Sequence, residues 1–302
     1  MGNEICYLVT GATGNVGEAT VRALLKAGRR VRGGVRDPQR LISRFDEAGE
    51  RLEAQHLDFD GSEPDPSLFN DVSALLLVRP PQVGDVETLM FPFLRAAKRA
   101  GVVRVVLLSL LGAQWLPFVP HRKLEKEIRR LGFEYTYMRA GFFMQNLEDV
   151  FAHFIRDEGE LPVPAGRSVT SFVDARDLGE AAAQLLLADA RPPKEVELTG
   201  PEAMSYADVA RVLTDTLGRN VEYTAPKRLR FEERARAAGW DEAYVTVVSR
   251  LFITVRLGMA RKVTEDLERI LGRPPRRLGE YVADQRHLWL QQKRAPGGTE
   301  GG

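Results

Sequence analysis

The chain of 302 residues carries a single cysteine, three tryptophans and almost no net charge, with 43 Lys+Arg against 42 Asp+Glu. One cysteine, Cys6, cannot close an internal disulfide, so the fold has to rest on its core, and a reducing cytoplasmic setting is expected. The first residues, MGNEICYLVTGATG, do not read as a secretory signal. With 44% hydrophobic residues over the length of one large or two ordinary domains, there is ample chain to build that core. Apolar runs such as LLLV and VVLLSLLGA stop at strand length, well short of the roughly 18 residues of a membrane span, so no membrane is expected as a partner. A formal charge of +1 leaves no bulk electrostatic case for nucleic acid. No His/Cys/Asp cluster has metal-ligand spacing, which predicts no metal, and His56, His153 and His287 stand isolated.

What is present is an alternation of two periods. Short β-branched runs at Ile5 to Thr10, Val31 to Val35, Leu52 to Leu57, Ala74 to Val78, Val103 to Leu108 and Tyr135 to Arg139 alternate with helical patterns at Asn15 to Ala27, Pro38 to Ala48, Gly84 to Ala100 and about Phe118 to Leu131. Fully apolar strands alternating with amphipathic helices predict an α/β fold, a doubly wound parallel sheet covered on both faces. After Phe143 the rhythm changes. A helix is expected over Met144 to Arg156, one strand before Asp174, short strands near Glu195 to Leu198 and Val221 to Thr224, and a mostly helical remainder. The tail APGGTEGG is too small and polar to be expected in an ordered state.

The most telling residues are VTGATGNVG, with Gly11, Gly14 and Gly17 spaced three apart between the first strand and the first helix. A pyrophosphate needs glycines there, because the backbone must turn, approach the phosphates without a Cβ, and pack helix close to strand while the helix N-terminus supplies free N–H groups. Thr13, Asn15 and Val16 line the same loop. The second strand ends Val35-Arg36-Asp37-Pro38. Arg36, the first side chain past it, suits a 2′-phosphate, so NADPH is expected over NADH, while Asp37 before Pro38 is well placed to cap the next helix. Asp58 and Phe59 end the third strand, where an adenine ring would lie; Asp58 reads either as an acceptor for its amine or as a loop cap. Val78 and Arg79 end the fourth, where the backbone should pass the ribose.

These segments, with VRDP, HRKLEKEIRRLGFEYTYMRAGFFMQN and SFVDARDLGEAAA, resemble the NmrA-like group of atypical short-chain dehydrogenases/reductases, which includes NAD(P)H:quinone oxidoreductase-like and isoflavone-reductase-like proteins. The resemblance covers roughly residues 4 to 290. It implies a Rossmann NAD(P)-binding domain over 1–155, a smaller, mostly helical substrate-binding lobe over 156–290, partly interleaved with the sheet, a disordered tail over 291–302, and a small-molecule substrate in a cleft between the lobes. It also places Gly141, Phe142 and Phe143 at the nicotinamide end and Ser109 at the family's serine position. The usual Tyr-x-x-x-Lys pair of the superfamily is missing, Pro117 and His121 standing in its place. His121 is then the expected acid, with Glu125 four residues on to orient it and favour its charged form, and Lys123 on another face. Trp115, Phe118, Phe142 and Phe143 are candidates for an aromatic wall. The function implied is an NADPH-dependent oxidoreductase for quinones or similar conjugated carbonyls; the alternative is a non-catalytic redox sensor, with a homodimer or protein partner open.

The near-neutral total hides an asymmetry. Residues 1–218 hold 26 basic and 31 acidic side chains, whereas residues 219–294 hold 17 and 10. The basic lobe would raise local cofactor concentration, dock an acidic partner, or simply carry solvated arginine faces.

Overall fold

The computed structural model describes residues 5–290, so the expectation for the tail lies outside the described residues. In chain order the elements are β1 (Cys6–Thr10), α1 (Asn15–Lys26), β2 (Arg30–Val35), α2 (Pro38–Ile42), β3 (Leu52–His56), β4 (Val72–Leu77), α3 (Val86–Leu89), α4 (Phe91–Arg99), β5 (Arg104–Leu110), α5 (Pro120–Arg130) and β6 (Glu134–Ala140). There follow β7 (Phe142–Phe143), α6 (Asn146–Asp149), β8 (Glu160–Leu161), β9 (Val169–Val173), α7 (Ala175–Leu187), β10 (Glu195–Leu198), β11 (Ala203–Ser205) and α8 (Tyr206–Leu217). The chain continues with β12 (Glu222–Tyr223), α9 (Arg228–Ala237), α10 (Glu242–Arg256), α11 (Asp266–Leu271), α12 (Leu278–Asp284) and α13 (Arg286–Leu290).

Two compact units divide the chain. The first takes the residues up to Gly141, then Ala175–Gly200 and Thr264–Pro275. It is built on a seven-stranded sheet of order β10-β6-β5-β4-β1-β2-β3, every neighbouring pair parallel. The order reverses between β1 and β4, so the chain winds away from that point in both directions, as the alternation of periods predicts. Residues of period two on the central strands, Cys6 and Leu8, Leu75 and Leu77, Val105 and Leu107, share one face with Phe93, Leu94, Leu124 and Ile128 of α4 and α5. Cys6 is fully buried there, and burial raises its thiol pKa, the behaviour of a small core residue.

The second unit takes Phe142–Asp174, Pro201–Val263 and the described residues from Arg276 onward. It holds a three-stranded sheet of order β11-β9-β7, the pair β12-β8, and an aromatic core of Phe151, Phe154, Tyr206, Phe231, Phe252 and Trp289.

Helix extents differ from expectation at three places. The helix expected from Pro38 to Ala48 stops at Ile42, and a looser turn, Asp46–Arg51, follows with Gly49 at φ +57 inside it. The pattern from Gly84 to Ala100 breaks at Met90, because Pro92 in the first turn of α4 has no N–H to continue α3. The helix expected over Met144 to Arg156 reduces to α6 plus a wide turn at Phe154–Glu158, whose Phe154 and Ile155 are drawn into the core.

Candidate functional site

The geometry starts where β1 ends. Thr10 Oγ1 accepts from Val78 N at 2.8 Å and reaches Val78 O at 3.3 Å, tying the ends of β1 and β4 together at the point where the strand order reverses. Gly11 then turns with φ +62 and its N–H bonds Gly34 O at 3.2 Å. Gly14 caps α1 from an extended conformation with no side-chain hydrogen bond. The amides of Val16 and Gly17, in the first turn of α1, have no helical carbonyl to bond and carry the positive end of the helix dipole. At Gly17 a Cβ would lie 2.1 Å from Gly11 O, so only glycine lets α1 start this close to the loop.

A cleft of about 220 Å³ opens beside this turn. It is bordered by Gly11, Thr13 and Gly14 of the loop, by Arg36 past β2, by Asp58 and Phe59 past β3, and by Val78 and Arg79 past β4. Four separate strand exits thus converge on one crevice at the carboxyl ends of the strands, where open α/β sheets bind ligands. Asn15, Val16 and Gly17 form the helix start behind it.

The individual side chains are sorted by their partners. Arg36 is exposed, and no described residue bonds its guanidinium; only its carbonyl is engaged, by His56 Nδ1 at 3.0 Å. Asp37 accepts from Arg40 N at 3.1 Å and caps α2, with Pro38 in the first turn, as expected. Asp58 accepts from the N–H of the next residue, Phe59, at 2.9 Å. The Phe59 ring is buried against Phe93, centroids 5.3 Å apart, so Phe59 borders the cleft mainly by its backbone. Arg44, which the sequence reading missed, donates to Thr13 O at 2.9 Å and to Glu18 at 2.6 Å, bracing the glycine loop from α1's first turn. No local pattern marks it, because the contact spans 31 residues of chain.

The expected acid site needs correction. Glu125 is fully buried, but it does not serve His121. It accepts from Ser109 Oγ at 2.8 Å, from Arg139 Nε and Nη2 at 3.0 Å each, and from Arg122 at 2.9 Å, while Tyr137 OH bonds its backbone carbonyl at 2.5 Å. Burial alone would raise the Glu125 carboxyl; the hydrogen bonds from Arg139, Ser109 and Arg122 outweigh it and hold the group below the usual carboxylate range. Ser109, 4% exposed within β5, spends its hydroxyl in this buried network. His121, in the first turn of α5, is pushed down to about 4 by burial and then by the Arg79 cation, with Glu125 opposing only weakly. The imidazole is therefore neutral near pH 7, the reverse of the charged form expected from its spacing to Glu125. Arg79 is itself fixed, its Nη1 donating to the carbonyls of Pro80, Pro81 and Val83.

Lys123 turns away, as expected, and pairs with Glu87. Of the four aromatics, Trp115 and Phe118 stand 78% and 73% exposed on the loop before α5. Phe142 and Phe143 form β7 of the second unit, and Gly141 ends the first with its N–H on Leu198 O at 2.9 Å. Among the described residues no group of His, Cys, Asp or Glu is arranged to hold a metal, and no helix is long and apolar enough to cross a membrane.

A doubly wound parallel sheet with a glycine turn into a helix at its switch point is a Rossmann-type unit. The chain belongs to the NmrA-like family, whose model matches residues 5–233. It is 32% identical to the oxidoreductase YesF of Bacillus subtilis (strain 168), across 93% of this chain and 96% of that protein. It is 29% identical to the NAD(P)H azoreductase of Xenophilus azovorans, across 91% and 96%. Among solved structures, an Escherichia coli NADPH-dependent quinone oxidoreductase complexed with NADPH superposes with a TM-score of 0.81 over 92% of this chain and 99% of that one, at 24% identity. The last likeness is one of fold.

Proposed function

We propose that this protein is an NADPH-dependent oxidoreductase that reduces quinones or similar conjugated carbonyl compounds. The observation that carries the reading is the cleft at the switch point, in which a glycine turn, free helix amides and an uncommitted arginine meet. These residues fit a 2′-phosphorylated dinucleotide: a Cβ at Gly17 would close the turn, the amides of Val16 and Gly17 suit a pyrophosphate, and Arg36 suits the 2′-phosphate. The names of the azoreductase and of the quinone oxidoreductase support both the cofactor and the reaction class.

Bound NADPH would supply the hydride. The chain's part is to orient and to stabilise charge. Arg44 and Glu18 hold the loop, and the strand exits at Asp58 and Val78 border the adenosine side. His121, neutral, is a hydrogen-bond donor to the oxygen on which negative charge develops. The neutral imidazole keeps its N–H proton, so the proton that completes the reduction comes from solvent, and the Arg79 charge beside the ring makes that donor stronger. Ser109, Glu125 and Arg139 position α5 against β5 and β6 and so set where His121 sits.

The test is steady-state oxidation of NADPH by a panel of quinones. His121→Ala is expected to lower kcat about 100-fold while leaving the NADPH Kd unchanged, the cost of losing one oxyanion donor. Because the His121 pKa is about 4, kcat should show no break from this group between pH 5.5 and 8, and the imidazole should remain neutral by NMR at pH 6. Arg36→Glu should weaken NADPH at least 30-fold and NADH by less than threefold, since it replaces attraction to the 2′-phosphate with repulsion. If the wild type binds NADPH but turns over no quinone, the redox-sensor reading takes over, and it requires unequal affinities for NADPH and NADP+.

A further inference from the structure

Part of the basic excess over residues 219–294 is paired with acids in the fold. Within the second unit Arg234 pairs with Glu158 and Glu160 at 2.6 Å each, Arg236 with Glu242 at 2.7 Å, and Arg277 with Glu202 at 3.3 Å. Arg256, in the last turn of α10, has no hydrogen-bond acceptor or counter-ion among the described residues. It stands at the rim of a separate cleft of about 310 Å³ lying wholly within that unit.

The lining is one-sided in its chemistry. Buried Pro164 and Phe252 form part of it, and Ile253 and Leu257 contribute exposed apolar walls, Leu257 being 71% exposed. Arg228 is the second cation, held by Glu232 only at 3.7 Å. Ser249 adds no free donor, because its hydroxyl is turned to Glu232 at 2.8 Å. Glu232 therefore offsets part of the Arg228 charge, and among the described residues no acid lines the cleft.

From this juxtaposition we propose that the cleft binds an amphipathic monoanion, a carboxylate or sulfonate carried on an apolar chain or flat ring. Its volume lies at the small end of the roughly 300–1,000 Å³ that ligand pockets span. The hydroxyls of a nucleotide or sugar would find no side-chain partner on Pro164, Phe252, Ile253 or Leu257, which favours an apolar body over a polar one. A neutral hydrocarbon would cover the walls but leave Arg256 without a counter-ion. The anionic head belongs on Arg256, with Arg228 adding to the field, and the apolar body covers Ile253 and Leu257. The inference concerns a site apart from the dinucleotide cleft and stands whether or not the protein reduces quinones.

The experiment is calorimetric titration of the full chain with sodium dodecanoate, with 2-naphthoate, and with dodecanol as the neutral control. Saturable binding of either anion at one site per chain is expected, at least tenfold tighter than dodecanol. Arg256→Gln should weaken the anion at least tenfold and leave dodecanol, NADPH affinity and Tm unchanged; Ile253→Asp should weaken both amphiphiles. The proposal is overturned if neither anion binds saturably to the wild type, if Arg256→Gln binds as the wild type does, or if dodecanol binds as tightly as dodecanoate.

Discussion

Gly14→Asp should abolish NADPH binding while leaving the fold intact or slightly more stable. The two effects separate because Gly14 does different things in the folded chain and toward a ligand. It is the N-cap of α1 with φ −92 and ψ 167, a conformation open to any residue, and a Cβ there would meet only Gly11 O at an ordinary 3.4 Å. No side chain caps α1 at present. Aspartate is among the best N-cap residues and gains on the order of a few tenths of a kcal/mol over the glycine now there, so Tm should hold or rise slightly. The same carboxylate, however, occupies the first-turn amides that a pyrophosphate would use and places a negative charge against it. Two like charges about 4 Å apart near a protein surface repel by about 4 kcal/mol, which exceeds the ~2.7 kcal/mol of a 100-fold loss. We therefore expect at least a 100-fold weaker NADPH Kd by fluorescence titration alongside an unchanged or raised Tm. Gly17→Val should instead lose binding and stability together, because its Cβ meets the Gly11 carbonyl at 2.1 Å. A Gly14→Asp protein that binds NADPH within threefold of wild type would refute the phosphate cradle.

Glu125→Ala should strongly destabilise the first unit. Arg139, 3% exposed, directs Nε and Nη2 at Glu125 and keeps only Nη1 for Glu195, at 2.7 Å. Removing the carboxylate strands a buried guanidinium and the Ser109 hydroxyl at once. Breaking a buried pair from one side costs about 3–5 kcal/mol, or roughly 6–20 °C in Tm for a domain of this size. Glu125→Gln keeps two polar atoms in place and should lose about half as much. The pH dependence follows from the direction of the shift. Glu125 is held below its ordinary value in the folded chain, so its contribution is complete above the unfolded pKa and is lost as pH falls through the lower folded one. The gap in Tm between wild type and Glu125→Ala should accordingly be full at pH 7 and shrink below about pH 4. A pH-independent gap, or a variant as stable as wild type, would remove the buried ion pair from this account. The His121 pKa should fall further in Glu125→Gln, because the carboxylate is the one group that raises it.

Much of the glycine turn and its helix was legible in the sequence because the determinants are local. A strand of buried residues, a glycine every third position and a helix start are all written within Cys6 to Lys26, and Asp37-Pro38 announces its own helix cap. The surroundings of His121 were not. The spacing His121 to Glu125 is a genuine helix-face relation, but the carboxylate was claimed by Arg139 on β6 and Ser109 on β5, contacts 14 and 16 residues away that no helical periodicity encodes. Lys123 illustrates the same limit, since its partner Glu87 lies 36 residues back on α3.

By itself, then, the sequence determined the alternation that makes a parallel sheet, the turn that begins α1, and the family to which those residues belong. Tertiary structure alone decided ionisation and partnership. It made His121 neutral by burying it beside Arg79, gave Glu125 to Arg139, and left Arg256 without a counter-ion among the described residues while Arg234 and Arg236 found theirs. The physical reason is that propensity and spacing act over a few residues, whereas charge and desolvation are set by whichever distant groups the fold brings within a few ångströms.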